Sequence, residues 1–85
     1  MAGYKIYFKA SVEKDFRVIP QKDLQKILTR IAALAKDPRP AGHEKLTGQE
    51  RYRIRQRQYR IIYSVHDKEL TIWGVKVGHR KNVYR

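Results

Sequence analysis

The chain has no cysteine, so neither a disulfide nor a thiolate metal site can staple the fold, and a reducing compartment is the natural setting. Long apolar runs are missing too. No stretch approaches the roughly 20 residues needed to span a bilayer, and the opening "MAGYKIYFKA" lacks the apolar segment of a signal peptide. A cytoplasmic protein without a membrane partner is expected. Proline and glycine are scarce, three and five in 85 residues, which predicts a single domain over 1–85 with one modest core. Negative charge is the last shortage. Eight Asp and Glu stand against twenty Lys and Arg, a formal net charge of +12. Residues 1–50 carry ten basic and six acidic side chains, net +4, and residues 51–85 carry ten and two, net +8. A basic half of this kind suits a polyanion or an acidic protein. A solvated basic surface with no partner is the plain alternative.

Periodicity orders what is present. "YKIYFKA" (4–10) puts Tyr4, Ile6 and Phe8 on one face and Lys5, Tyr7 and Lys9 on the other, the pattern of a half-buried strand. Ser11 suits an N-cap, and Val12, Phe16 and Ile19 follow at helical spacing until Pro20. Pro20 also opens a second helix, where Leu24, Ile27, Leu28, Ile31, Leu34 and Ala35 form an apolar stripe opposite Lys22, Gln25, Lys26 and Arg30. "KDPRPAGHEKLTGQE" (36–50) reads as a long loop. Three strands are expected after it, over 51–56, 59–65 and 70–77, with Arg57–Gln58 and His66–Glu69 as the turns. The order predicts an α+β fold: an N-terminal strand, a two-helix hairpin, then a three-stranded antiparallel meander, all in one sheet with the helices on one face.

"RYRIRQRQYRIIYSV" (51–65) places arginine at 51, 53, 55, 57 and 60. Strand residues two apart share a face about 7 Å apart, so each exposed pair should repel by roughly 0.5–2 kcal/mol. That is not how a strand is stabilised. Parity assigns the row: Tyr59, Ile61, Tyr63 and Val65, with Tyr52 and Ile54, should face the helices. Arg53, Arg55 and Arg60 should then converge on the uncovered face. Trp73 and Tyr63 read as core aromatics, Tyr4 and Tyr52 as packing, and His43 and His66 as surface residues without metal-ligand spacing.

"KLTG" (45–48), "YRIRQRQYRIIYSV" (52–65) and "VGHRKNVYR" (77–85) together resemble the RelE/ParE superfamily of type II toxins, and the element order fits over the whole chain. The RelE branch cuts mRNA in the ribosomal A site and is neutralised by an antitoxin. The resemblance therefore implies a ribosome-dependent endoribonuclease with mRNA and 16S rRNA as partners, and a RelB-like antitoxin bound as a heterodimer or heterotetramer. It implies no cofactor and no metal. Carried over by position, the family's basic strand pair falls on Arg53 and Arg55, its hairpin arginine on Arg60, its last-strand arginine on Arg80 and its C-terminal tyrosine on Tyr84. Arg51, Arg57, Lys81 and Arg85 would steer nucleic acid.

Metal-independent RNA cleavage proceeds by attack of the ribose 2′-hydroxyl on the adjacent phosphate and loads negative charge on the phosphoryl oxygens. Guanidinium forks match those oxygens and stay charged at any physiological pH. Arg60 and Arg80 would form the clamp, and Tyr84 would stack on a base or move a proton. Two departures from the family matter. Some members of the family carry lysine where Arg53 and Arg55 are, and arginine cannot act as a base; Tyr84 and His79 are the nearest alternatives, with His79 also readable as structural, unless charge stabilisation and ribosomal groups suffice. Glycine often stands where Arg57 is, so a differently built turn is expected. Two other readings fit the same residues, a ParE-like protein that inhibits DNA gyrase without catalysis, and a basic RNA-binding protein.

Overall fold

The computed structural model describes residues 3–46 and 50–79. Seven elements follow in order: β1 Lys5–Phe8, α1 Val12–Arg17, α2 Gln21–Leu34, β2 Glu44–Lys45, β3 Arg51–Gln56, β4 Tyr59–His66 and β5 Thr71–His79. The five strands form one sheet in the order β1-β5-β4-β3-β2. The α+β arrangement and the meander β3-β4-β5 are as expected. Two details differ. β1 pairs with β5 in parallel, Lys5 opposite Thr71 and Ile6 opposite Ile72, because the helices carry the chain away from β1 and the meander returns β5 beside it in the same direction. Glu44 and Lys45, expected in a loop, add a short edge strand antiparallel to β3.

Alternation decides the core. Tyr52, Ile54, Tyr59, Ile61, Tyr63 and Val65 are all buried and meet Ile19, Ile27, Ile31 and Leu34 from the helical side, with Ile72, Val75 and Val77 of β5 completing the cluster. Each fully buried isoleucine contributes about 1.5–3 kcal/mol of transfer free energy. The helices lean on different strands, α1 on β5 and α2 on β3. Pro20 takes the N-cap position of α2 with φ −55° and ψ 145°, while Ser11 at the start of α1 makes no side-chain cap hydrogen bond. The apolar stripe of α2 is narrower than its sequence suggests, since Leu28 is exposed. Phe8, expected on the buried face, is likewise exposed, with its ring edge-on to Phe16.

Trp73 corrects the reading of it as a core residue. Ile72 points inward, so Trp73 points to the uncovered face, where it is 46% exposed and stacks on Tyr7 at 4.3 Å. The register then slips by one residue at Gly74, whose φ is +64°, and Val75 returns to the core. Glycine fits this bulge because the backbone conformation is left-handed. The Arg57–Gln58 turn is also built in the way glycine would favour: Arg57 adopts φ 55°. The differently built turn expected from its arginine is not found, and the hairpin carries the strain.

The chain that follows α2 is pinned at Pro38 and Arg39. The buried Tyr63 hydroxyl donates to the Pro38 carbonyl at 2.6 Å, and burial pushes the Tyr63 phenol up to about 12. Arg39 donates two parallel hydrogen bonds to Asp67, at 3.1 and 2.9 Å, and a third to the Tyr52 hydroxyl at 3.0 Å. Tyr52 donates onward to Glu50, and Tyr4 donates to Asp67. Tyr4, Arg39, Tyr52 and Asp67, from four separate parts of the chain, are thus joined in one network. A few residues later β2 pairs with β3, which sets Glu44 opposite Arg53.

Candidate nucleic-acid interface and active site

The uncovered face of the sheet is read in rows across the strands. The row nearest the hairpin turn holds Arg55, Arg60 and Gly78, since Arg55 lies directly opposite Arg60 and Arg60 opposite Gly78. The next holds Glu44, Arg53, Ile62 and Lys76. A third holds Arg51, Ser64 and Trp73, extended by the Tyr7 ring. Parity therefore brings Arg53, Arg55 and Arg60 together as expected. Arg51 shares the face at the far end, and Arg57 is in the turn.

Like charges directly opposite each other, with Cβ atoms about 4.5–5.5 Å apart, destabilise a sheet. Arg55 and Arg60 form such a pair. Gly78, opposite Arg60 on β5, contributes no side chain to this row. Ile62 is 3% exposed although it lies on this face; the stems of long neighbours such as Arg53 and Lys76 cover apolar surface while their heads stay polar. Lys76 is committed elsewhere, its ammonium 3.3 Å from the Asp15 carboxylate of α1.

Glu44 is the residue that reasoning from sequence missed. Its carboxylate stands opposite Arg53 and accepts hydrogen bonds from Nε at 2.9 Å and from Nη2, both on Oε1. The Arg53 hydrogen bonds, then the charges of Arg53, Arg55 and Arg60, hold this carboxyl below the usual carboxylate range. The signal in the sequence was weak: a glutamate inside a proline- and glycine-rich stretch gives no strand periodicity. Arg30, read only as the polar side of α2, also reaches the site. Its Nη2 donates to the Arg55 carbonyl at 3.4 Å, and with Gly42, His43, Glu44 and Arg55 it lines a cleft of about 520 Å³ at the sheet edge.

His79 is not with the arginines. It pairs across from Tyr59 on the helix-covered side, ring to ring at 6.0 Å, and lines a separate cavity of about 370 Å³ with Asp15, Val18 and Ile19. Arg80, Lys81, Tyr84 and Arg85, and Thr47 and Gly48 of the "KLTG" stretch, lie outside the described residues. Among the described residues no group of His, Asp and Glu could hold a metal ion, and no helix is long and apolar enough to cross a membrane.

A family model described as the ParE toxin of type II toxin–antitoxin system, parDE, matches residues 6–84. No curated protein matches. Several solved structures share the fold. The archaeal RelE–RelB complex from Pyrococcus horikoshii aligns with TM-score 0.77 at 26% identity, covering 94% of this chain and 98% of that one. A doubly arginine-to-alanine substituted Escherichia coli RelE toxin in the free state gives 0.76 at 25% identity, covering 98% and 88%. The RelBE2 toxin–antitoxin complex from Mycobacterium tuberculosis gives 0.77 at 21% identity, covering 96% and 97%, a likeness of fold.

Proposed function

Because the chain belongs to the ParE toxin family of type II toxin–antitoxin systems, within the RelE/ParE superfamily, we propose that it is the ribosome-dependent endoribonuclease kind of toxin, cutting mRNA in the ribosomal A site and so stopping translation. The observation that carries this reading is the Arg55–Arg60 pair, with Arg53 in the adjacent row of the same uncovered face. A cross-strand pair of like charges is a liability in a scaffold and an asset around a phosphate, whose oxygens two guanidinium forks can share. The reaction asks for positioning and charge stabilisation more than for covalent chemistry. Arg53, Arg55 and Arg60 would bind and stabilise the scissile phosphoryl group, with Arg80 and Tyr84 completing the site. Arg51, Arg57, Lys81 and Arg85 would engage the flanking mRNA and 16S rRNA. A toxin that lets the ribosome present its substrate needs no deep pocket of its own, which suits a broad basic sheet.

The partner in the resting cell would be a RelB-like antitoxin, acidic and partly disordered, wrapping the basic face as a heterodimer or heterotetramer. That the P. horikoshii relative was solved as a RelE–RelB complex supports this reading. Purified protein is expected to cleave mRNA on programmed ribosomes, to leave naked RNA largely intact, and to lose cleavage on Arg60→Ala or Arg80→Ala. Cleavage indifferent to both substitutions would sink the site assignment.

The match to a family model described for ParE favours a second reading, a toxin that inhibits DNA gyrase by binding alone. A supercoiling assay separates the two. Inhibited gyrase with intact mRNA on translating ribosomes would select the second.

A further inference from the structure

We propose that Tyr7 and Trp73 form a stacking platform for a nucleobase of single-stranded RNA, a few nucleotides from the phosphate that Arg55 and Arg60 hold; it rests on the ribonuclease reading only in taking that RNA to be mRNA. The two rings lie nearly parallel, with 12° between their planes and 4.3 Å between centroids, yet Tyr7 stays 39% exposed and Trp73 46%. Tryptophan is highly buried on average. This chain sets its single one on the uncovered face of the sheet.

The backbone makes that placement. Strict alternation along β5 would put Trp73 on the same side as Val75 and Val77. Instead β5 fits three steps against two of β4, from Trp73 to Lys76 opposite Ser64 to Ile62, and three against two of β1, from Ile72 to Val75 opposite Ile6 to Phe8. The extra residue lets Ile72, Val75 and Val77 all reach the core while Trp73 faces out. Gly74 absorbs it at φ +64°, and the space above Gly74 is open, since a Cβ there would have no neighbour within 4 Å. Bulges recur beside functional sites because they re-aim a side chain in this way.

The surroundings suit an RNA base. Arg51 shares the Trp73 row through Ser64, and Lys5, two residues before Tyr7 on β1, shares the face of Tyr7. His66 meets the Trp73 ring edge-on at 6.5 Å. Cations beside an aromatic face track the phosphates while a base stacks on the ring. Ser64 is four residues along β4 from Arg60, about 13 Å at the rise of a strand, and Trp73 is on the next strand, about 5 Å further across. A short run of unpaired nucleotides crosses that distance over the same basic face. Every base has a π-face, so the platform would add affinity without selecting a codon.

Trp73 is the only tryptophan, so its emission reports on the site directly. Purified protein is titrated with a single-stranded RNA and with an abasic strand of equal length, by tryptophan emission and by anisotropy of a labelled strand, over a series of salt concentrations. RNA should quench Trp73 and the abasic strand should not. Trp73→Ala should weaken RNA binding about 5–150-fold, the worth of one stacked base, and Trp73→Phe should keep most of the affinity. Neither should change the slope of affinity against salt, because no phosphate contact is removed. On programmed ribosomes, an abasic nucleotide at one mRNA position beside the cut should reproduce the Trp73→Ala loss of cleavage, and the two changes together should lose no more than either alone.

Wild-type protein that binds no RNA, quenching by both strands alike, or unchanged affinity in Trp73→Ala each overturns the proposal. A flattened salt slope in Trp73→Ala overturns it as well, by showing that the substitution disturbs the basic face. A cleavage loss that no abasic mRNA position reproduces would assign the rings to ribosomal RNA, and a variant that loses only its antitoxin would assign them to that partner; either result overturns it. Wild-type protein that binds RNA with quenching but cuts nothing on ribosomes refutes the ribonuclease reading, and the stacking site stands without it.

Discussion

Arg57→Gly should make the protein more stable. Arg57 occupies the hairpin turn at φ 55°, where an L side chain crowds the following carbonyl at a cost of about 1–2 kcal/mol. Glycine removes that cost and adds back about 0.4–1 kcal/mol of unfolded-chain entropy. The difference leaves a net gain of about 0.5–1 kcal/mol, or about 2–8 °C in melting temperature for a domain of this size. The assay is urea denaturation followed by circular dichroism, with a thermal scan alongside. Arg57 also carries a charge near Arg55 and Arg60, so its removal relieves repulsion by another route, and Arg57→Ala controls for this. Alanine deletes the same charge and keeps the left-handed strain, so it should gain little or nothing. Glycine at or below wild-type stability, or alanine gaining as much as glycine, would refute the turn geometry as the cause.

Other consequences can be measured with the same protein. Leu70 repeats the situation at φ 53° in the turn before β5; Leu70→Gly should also raise the melting temperature, and a lowered one would mean its exposed side chain packs more than its surface position implies. Tyr63→Phe leaves the Pro38 carbonyl without its 2.6 Å donor, and should cost about 1–2 kcal/mol in urea; an unchanged midpoint would mean that water replaces the hydroxyl. Hydrogen bonds from Arg39 and Tyr4 hold the Asp67 carboxyl below its ordinary value. A folded value lower than the unfolded one gives stability that is complete above the unfolded value, about 4, and lost as pH falls through the folded value. Melting temperature should drop on acidification through that window, and Asp67→Asn should flatten the drop; an identical acid profile in the variant rules the network out as its source. Arg55→Ala should reduce ribosomal cleavage about 10²–10³-fold if its guanidinium stabilises the transition state, and wild-type turnover would restrict Arg55 to steering.

Much of this protein was legible without coordinates. Strand alternation assigned the six core residues from Tyr52 to Val65 and put Arg53, Arg55 and Arg60 on one face, because a period of two leaves only two ways to seat a strand against a core. The helical stripe of α2 likewise identified Ile27, Ile31 and Leu34. The three motifs pointed to the superfamily. What was not legible depends on partners distant in sequence. Trp73 was misassigned because a bulge at Gly74 changes which residues of β5 face inward, and a bulge depends on the neighbouring strand. β1 was not expected to run parallel to β5, since that pairing joins residues 66 apart, such as Lys5 and Thr71. His79 lies in the same C-terminal motif as Arg80, and only the register opposite Tyr59 removes it from the arginine face.

Glu44 shows the division most clearly. The sequence by itself determined that a row of arginines would meet on an uncovered sheet, since side-chain alternation and charge are local properties. Which anion would meet them could not be read locally. Glu44 reaches them because β2 pairs with β3 at the sheet edge, after a stretch of chain tied down by the bonds of Arg39 to Asp67 and Tyr52 and of Tyr63 to Pro38. Those contacts join residues 13 to 28 positions apart, and only a closed fold brings such groups to hydrogen-bonding distance.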